Sequence, residues 1–175
     1  MIRAAATGPV TKLLKAYNVP LPFSPDLDQI DWASFACVFL RREMVRDIGP
    51  MDEGYFLYFE DCEYCLRAQR AGYRIAFAPS MRAMHLEGGS GTVISDQAAR
   101  KRLPPYYYQA RSRFFYQAHG RTGLLAANLL WYLGRALARV RLLTGRAVPQ
   151  SVEKEWRDLW IGFRAPLTPA DRPGP

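Results

Sequence analysis

The chain has 175 residues, 49% of them apolar, so it can bury a hydrophobic core and is not a disordered tail. Its formal net charge of +8 is high for an ordinary cytosolic enzyme and indicates an anionic partner: nucleic acid, a lipid surface or a phosphate-bearing substrate. Three clustered cysteines exclude a secreted disulfide framework, and the first residues carry no signal-peptide pattern, so we expect a reducing cytoplasm.

The first 29 residues predict an extended connecting segment and not the start of a domain, because they include the Pro-rich run from Val19 to Pro25. A denser pattern follows. The apolar run from Phe35 to Leu40 is typical of a buried strand, and Arg41 to Ile48 predicts a short helix that ends at a Gly-Pro pair.

The next elements alternate between helix and strand. Asp61 to Ala71 predicts a helix stopped by Gly72, and the short strands expected after it are Tyr73 to Ala78 and Met81 to Leu86. Beyond residue 95 the pattern is helical, with segments at Pro104 to His119, Arg121 to Leu143 and Ser151 to Phe163.

Four regions follow from these elements: a connecting segment (1–29), an α/β unit (30–95), a basic helical region (96–163) and a disordered Pro-rich tail (164–175). Sheets usually have about five strands, so the predicted α/β core is incomplete as it stands.

Three carboxylates, Glu60, Asp61 and Glu63, lie at the start of a predicted helix directly after the aromatic run Phe56 to Phe59. A structural interpretation is that they cap the helix, where each negative charge contributes about 0.3–1 kcal/mol. A functional interpretation is that carboxylates crowded beside aromatic walls have perturbed pKa values, as a general base requires.

These residues belong to a series of spaced motifs that resembles the C-terminal half of family 2 glycosyltransferases, closest to the bacterial rhamnosyltransferase-like branch. The motifs are, in chain order, Ile30 to Ser34, Phe35 to Leu40, Arg41 to Glu43, Ile48 to Glu53, Phe56 to Arg67, Ala71 to Arg74, Ala78-Pro79 and His85. The resemblance implies part of a GT-A core, which is a Rossmann-like α/β fold, followed by a helical C-terminal appendix.

The resemblance also implies roles for individual residues. Asp61 is expected to be the general base of an inverting transfer from a nucleotide-sugar donor to a lipid-linked or glycan acceptor. Glu60 would orient the acceptor, Glu63 takes the place of the second acid in a Glu-Asp-x-Asp pattern, and Arg67 lies in the same motif and is expected at the substrate.

The resemblance implies roles for two further residues, each with a structural alternative. Trp32 is expected to line the sugar site, or it simply packs. His85, before a glycine-rich loop, is expected to approach a divalent metal (Mg²⁺ or Mn²⁺) that neutralises the leaving diphosphate, or it is structural.

The chain departs from the family pattern where the donor is bound. The nucleotide-binding half and its Asp-x-Asp metal motif are not recognisable, and Asp26 and Asp28 lie in the Pro-rich segment, where they are poor candidates. Phe35 replaces an expected glycine. We therefore expect a truncated reading frame, one half of a split enzyme, or a non-catalytic relic, with the metal site incomplete in this chain.

The region from Gln97 to Val152 has ten Lys/Arg and no acid. Arg121, Asn128, Arg135, Arg139 and Arg146 recur at helical spacing, and the leucines fall largely elsewhere around the helix. This pattern indicates a helix in the interface of an anionic membrane, or a bundle helix with solvated arginines. Because no apolar run reaches the roughly 20 residues that span a bilayer, we expect peripheral attachment at the cytoplasmic face.

Two other interpretations are weaker. The aromatic and basic stretch from Tyr106 to Tyr116 is compatible with base stacking, but no nucleic-acid motif accompanies it, so we expect no nucleic-acid partner. Cys62 and Cys65 have the spacing of a thiol or zinc pair without a convincing second pair, so we expect them to pack beneath the helix.

Overall fold

The computed structural model describes residues 30–78, 80–84, 91–143 and 151–171. Five helices form within these ranges: α1 (Arg42–Ile48), α2 (Glu60–Arg70), α3 (Val93–Ala98), α4 (Pro105–Leu142) and α5 (Glu155–Asp158). The predicted helices are confirmed at α1, at α2 and along α4. The connecting segment 1–29, His85 and most of the glycine-rich loop lie outside the described residues.

The predicted strands are wrong for the described part of the chain, and a partial sheet core is not confirmed. The pairing that forms is a single antiparallel bridge, in which the amide of Ile30 donates to the carbonyl of Ile75 over 3.2 Å. Residues 38–40 are irregular, and Phe39 has 80% of its surface exposed. An isolated strand leaves its backbone donors and acceptors unpaired, so strand-prone sequence without a neighbouring strand does not form a sheet.

The helices α1 and α2 form a small unit with its own core. Met44 of α1 packs with Tyr64 and Ala68 of α2, and Phe35 meets the Tyr64 ring edge-on at 5.9 Å. The Tyr64 hydroxyl donates to the carbonyl of Gly49 over 2.8 Å, which ties α2 to the end of α1.

The long helix α4 joins two parts of the molecule. It is broken at Gly120, whose φ of 69° and ψ of −171° are not helical. The part before the break packs on α2 and on residues 56–59, and the part after it packs on α5. The main core is shared between these segments and comprises Val93, Leu103, Tyr106, Tyr108, Trp131 and Leu159. The helix α4 therefore shares its core with residues 56–58.

The prediction of an exposed basic face on this helix is wrong at Asn128. Asn128 is fully buried, where its carbonyl accepts from Arg111 over 2.7 Å and its amide donates to the carbonyl of Leu159 over 3.0 Å. Most leucines of the same stretch are exposed, namely Leu125, Leu129, Leu130, Leu133 and Leu137, whereas Leu124 is buried. Asn128 faces the core because it hydrogen-bonds the Arg111 guanidinium and the Leu159 carbonyl, which a leucine would leave unpaired.

The segment after α5 also differs from prediction. The helix predicted from Ser151 to Phe163 is reduced to α5, because Lys154 and Gly162 adopt left-handed φ angles of 55° and 75° on either side of it. The tail predicted to be disordered from residue 164 is placed against the core up to residue 171. The amide of Ala170 donates to the carbonyl of Gly54 over 3.0 Å, and Arg113 donates to the carbonyl of Leu167.

Candidate active site

The candidate site begins at a strained turn directly before α2. Tyr58 and Phe59 have left-handed φ angles of 71° and 67°, and Phe59 is the N-cap residue of the helix without a side-chain capping bond. Each such conformation costs a non-glycine residue about 1–2 kcal/mol. The turn places Glu60 and Asp61 in the first helical turn, so contacts elsewhere must stabilise it.

An aromatic cluster supplies those contacts from the first part of α4. Phe59 stacks on Phe114 with a centroid distance of 5.7 Å and lies 5.6 Å from Tyr107. Tyr58 meets Tyr107 edge-on at 5.7 Å. Aromatic pairs of this geometry contribute about 0.5–1.5 kcal/mol each beyond their burial, which offsets the strain of the turn.

The two central carboxylates have different surroundings. Asp61 is half-buried, and its Oδ1 accepts the amide of Cys62 over 2.7 Å. The Cys62 thiol, whose pKa is raised by burial and by the charge of Asp61, also interacts with this carboxylate. Burial raises the pKa of Glu60, and its buried Oε2 has no hydrogen-bond partner in the described structure. The roles of Glu60 and Asp61 in catalysis stay predictions.

Glu63 and Arg67, predicted at the substrate, bind each other. Two guanidinium nitrogens of Arg67 donate to the Glu63 carboxylate over 2.9 and 3.0 Å, and the same guanidinium donates to the carbonyls of Ile48 and Pro50. These bonds hold α2 against the end of α1. Their role at a substrate stays a prediction.

Trp32 and His85 do not join the carboxylates in the described structure. Trp32 lies on the surface with 38% of its area exposed, and His85 falls outside the described residues. No group of three His, Cys, Asp or Glu side chains in the described ranges could hold a metal ion. His85 is not among the described residues, so the divalent cation stays a prediction.

A network that sequence reasoning missed braces the turn from its other side. Asp52 accepts two hydrogen bonds from Arg113 of α4, over 2.9 and 2.8 Å, and one from Gln117 over 2.7 Å. Gln117 in turn accepts from the Tyr55 hydroxyl. Asp52 lies among the motifs of the family resemblance, and Arg113 lies in the region without acids. The sequence does not indicate that they pair, because 61 residues separate them.

An apolar groove of about 380 Å³ lies beside α2. Its walls come from residues 33–40 and 74–78, and its floor includes Tyr64, Cys65 and Ala68. Asp61 is not a lining residue, although it is one helical turn from Tyr64 and Cys65. The groove therefore lies next to the carboxylates without containing them.

The cysteines of α2 are free thiols, of which Cys65 is buried and Cys62 is half-buried. Burial raises the pKa of both Cys62 and Cys65, and the Cys65 sulfur lies 3.8 Å from the carbonyl of Ala33. A raised pKa disfavours the thiolate that redox and metal chemistry require, which fits the predicted packing role.

Residues 27–128, more than half of the chain, match the family model described as glycosyltransferase like family 2. The chain belongs to glycosyltransferase family 2. The matched range includes both α2 and the first part of α4, so both sides of the aromatic cluster lie within the family 2 domain.

Its family 2 relatives act in glycan synthesis. The rhamnosyltransferase WbbL of Escherichia coli is 31% identical over 85 residues, which are 48% of this chain and 32% of that protein. The N-acetylglucosaminyl-diphospho-decaprenol L-rhamnosyltransferase of Mycobacterium tuberculosis is 27% identical over 114 residues, 65% of this chain and 35% of that protein. A low-salt glycan biosynthesis hexosyltransferase of Haloferax volcanii is 30% identical over 60 residues, 34% of this chain and 20% of that protein.

The match thus spans about a third of the length of the two rhamnosyltransferases. No solved structure matches this family 2 chain.

Proposed function

We propose that this chain is the acceptor-side part of an inverting glycosyltransferase in which Asp61 is the general base. The donor is a nucleotide-sugar bound mainly by a further half of the enzyme. The acceptor is lipid-linked or a glycan, as the names of the two relatives in Mycobacterium tuberculosis and Haloferax volcanii suggest.

One observation carries the proposal: the placement of Glu60 and Asp61 in the first turn of α2 by the strained turn at Tyr58 and Phe59. Strain of this kind persists only where the surrounding structure enforces it, and it is concentrated at functional sites. Here the rings of Tyr107 and Phe114 pack on Tyr58 and Phe59 and hold the turn in this conformation.

The proposed step uses the carboxylate of Asp61. It accepts the proton of an acceptor hydroxyl, and the hydroxyl oxygen forms a bond to the anomeric carbon. The bond from that carbon to the diphosphate oxygen breaks on the opposite face, and the nucleoside diphosphate leaves with the electron pair. The configuration at the anomeric carbon therefore inverts. The buried Glu60, with its raised pKa, is suited to donate a hydrogen bond to the acceptor when protonated.

The apolar groove supports the proposal that a further half docks here. Its walls are strand-prone segments that carry exposed apolar side chains, among them Val38, Phe39 and Phe77. The bridge between Ile30 and Ile75 holds the two walls side by side. An adjoining sheet would pair their backbones and bury these side chains.

The test of the base is the substitution Asp61→Asn in an assembled enzyme. The chain is joined to, or expressed with, the donor-side half of a family 2 rhamnosyltransferase, and transfer of labelled sugar is measured. We expect Asp61→Asn to lower turnover about 10²- to 10⁴-fold, the usual contribution of a general base.

The matched control is Glu43→Gln, which neutralises an exposed acid in the first turn of α1. Turnover of the control should stay close to that of the unmodified enzyme. Activity that survives Asp61→Asn would show that another group is the base.

A second candidate function is a non-catalytic membrane-surface module. The exposed leucines of α4 favour it, and an assembled enzyme that binds membranes but transfers no sugar would support it over catalysis.

A further inference from the structure

The part of α4 after Gly120 has two faces of different chemistry. The residues of its inner face are buried in the core: Leu124, Ala127, Asn128, Trp131, Gly134 and Ala138. Its outer face carries the leucine strip, which we define as Leu125, Leu129, Leu130, Leu133, Leu137 and Val140. Their exposure ranges from 38% for Leu125 to 59% for Val140. Six large apolar side chains of this helix therefore face away from the core.

Isolated exposed leucines are ordinary, but a continuous strip is not. Members of the strip recur at intervals of three and four residues, so they form one contiguous face more than four helical turns long. A surface helix of a soluble protein would instead turn its leucines toward the core and its polar side chains toward water.

Cationic and aromatic side chains border the strip. Helical periodicity places Arg139 on one border and Arg141 on the other. Trp156 and Trp160 lie beside it, 59% and 38% exposed, and the Trp160 indole donates to the Tyr132 hydroxyl over 3.0 Å. Tryptophan and tyrosine favour the boundary between hydrocarbon and water, since each has an apolar ring and a polar tip.

The acids nearest to the strip are mostly engaged elsewhere. Asp158 is buried and paired with Arg102 over 2.7 Å, and Glu155 accepts the indole N–H of Trp131. The stretch from Gln97 to Val152 contains no acid. The surface around the strip is thus attractive to anions.

We propose that the leucine strip binds the surface of a membrane that contains acidic phospholipids. The second part of α4 lies in the plane of the interface, with its leucines among the acyl chains and its arginines among the phosphates. No helix of the described ranges is long and apolar enough to cross a bilayer, so the contact proposed is with one leaflet. A membrane also fits the border residues better than a second copy of the chain, whose own arginines would face these.

The strip is connected to the candidate active site by α4 itself. Tyr107, which contacts Tyr58 and Phe59, lies 13 residues before Gly120, a distance of about 20 Å along a helix. If the proposed transfer is correct, docking through the strip holds Asp61 near the leaflet that carries a lipid-linked acceptor.

The test is vesicle flotation of the full chain at low salt. Vesicles of equal parts phosphatidylglycerol and phosphatidylcholine are compared with vesicles of phosphatidylcholine alone. We expect the chain to float with the anionic vesicles only. The double substitution Leu129→Ser/Leu133→Ser should lower partitioning at least about tenfold, because each leucine loses most of its transfer free energy.

The matched control is Phe39→Ser/Leu167→Ser, which removes two exposed apolar side chains outside the strip. Its binding should equal that of the unmodified chain, and circular dichroism should show equal helicity for all three proteins. Arg139→Glu reverses one charge at the border of the leucine strip and leaves the leucines unchanged. We expect binding to anionic vesicles to fall at least about fivefold.

The proposal is overturned if the chain stays unbound, if the strip variant floats as the unmodified chain does, or if the control variant loses binding equally. It is also overturned if light scattering shows a dimer that Leu129→Ser/Leu133→Ser dissociates while vesicles stay unbound. Flotation needs no sugar transfer, so failure here leaves the role of Asp61 untouched, and loss of the Asp61 role leaves this binding intact.

Discussion

At Asp52, burial and hydrogen bonding act on the carboxyl pKa in opposite directions. Burial alone would raise it, but hydrogen bonds from Arg113, Gln117 and the amide of Gly54 outweigh burial, and the pKa of Asp52 lies below its ordinary value. The side chains of Arg113 and Asp52 are only 11% and 21% exposed, so solvent screens the pair little. This pair joins α4 to the segment that precedes the strained turn.

We predict that Asp52→Asn lowers the free energy of unfolding by about 2 kcal/mol at pH 7, the scale of a charge-assisted hydrogen-bonded pair. A lowered folded-state pKa contributes stability above the unfolded-state pKa, and that contribution disappears as the pH falls through the folded-state value. The difference between the two proteins should therefore shrink below pH 3.8, the ordinary value for aspartate. Urea denaturation at several pH values measures it.

The control is Glu153→Gln, in an ion pair with Lys154 whose side chains are 59% and 51% exposed. We expect a change below about 0.5 kcal/mol at every pH. A difference for Asp52→Asn that stayed constant down to strongly acidic pH would contradict the charge-based explanation.

Among the elements, α4 links distant parts of the chain, because this one helix contacts both the turn before α2 and α5. Its direction changes at Gly120, whose backbone angles are accessible almost only to glycine. A Cβ at this position would meet nothing within 4 Å, so a substitution there tests backbone strain without a steric clash.

We predict that Gly120→Ala destabilises the protein by about 1–3 kcal/mol, the cost of this conformation for a residue with a Cβ. Thermal or urea unfolding measures it. Thr122→Ala, an exposed helical site two residues away, should instead be neutral or slightly stabilising, by less than about 0.7 kcal/mol. Stabilisation by Gly120→Ala would mean that α4 is continuous in solution.

At the scale of the whole molecule, the described residues expose two separate apolar surfaces. The groove beside α2 and the leucine strip on α4 expose large side chains on separate segments, including Phe39 at 80% and Leu133 at 55%. We propose different partners for the two: a sheet from the donor-side half for the groove, and a lipid surface for the strip.

We predict that Phe39→Ser weakens association with a donor-side half at least about tenfold, because a fully buried phenylalanine contributes about 1.5–3 kcal/mol. Co-purification or titration calorimetry with that half measures the affinity. Leu167→Ser removes an exposed leucine outside the groove and should leave the affinity unchanged. Unaltered affinity for Phe39→Ser would argue against the groove as the docking surface.

The helices were predictable from the sequence because their determinants are local. Apolar spacing and the glycines at positions 49, 72 and 120 mark where α1 and α2 end and where α4 breaks. The Glu60-Asp61 motif was likewise visible, since neighbours in sequence stay neighbours in a helix.

Tertiary structure alone decided the rest. Strand formation depends on a partner outside the strand, so strand-prone residues 35–40 stayed irregular when none of the described residues paired with them. The Asp52–Arg113 bond joins residues 61 positions apart. Asn128 is buried because it accepts a hydrogen bond from Arg111, which is distant in the sequence. Side-chain composition determined which segments are amphipathic, and long-range packing determined which of their faces turned inward.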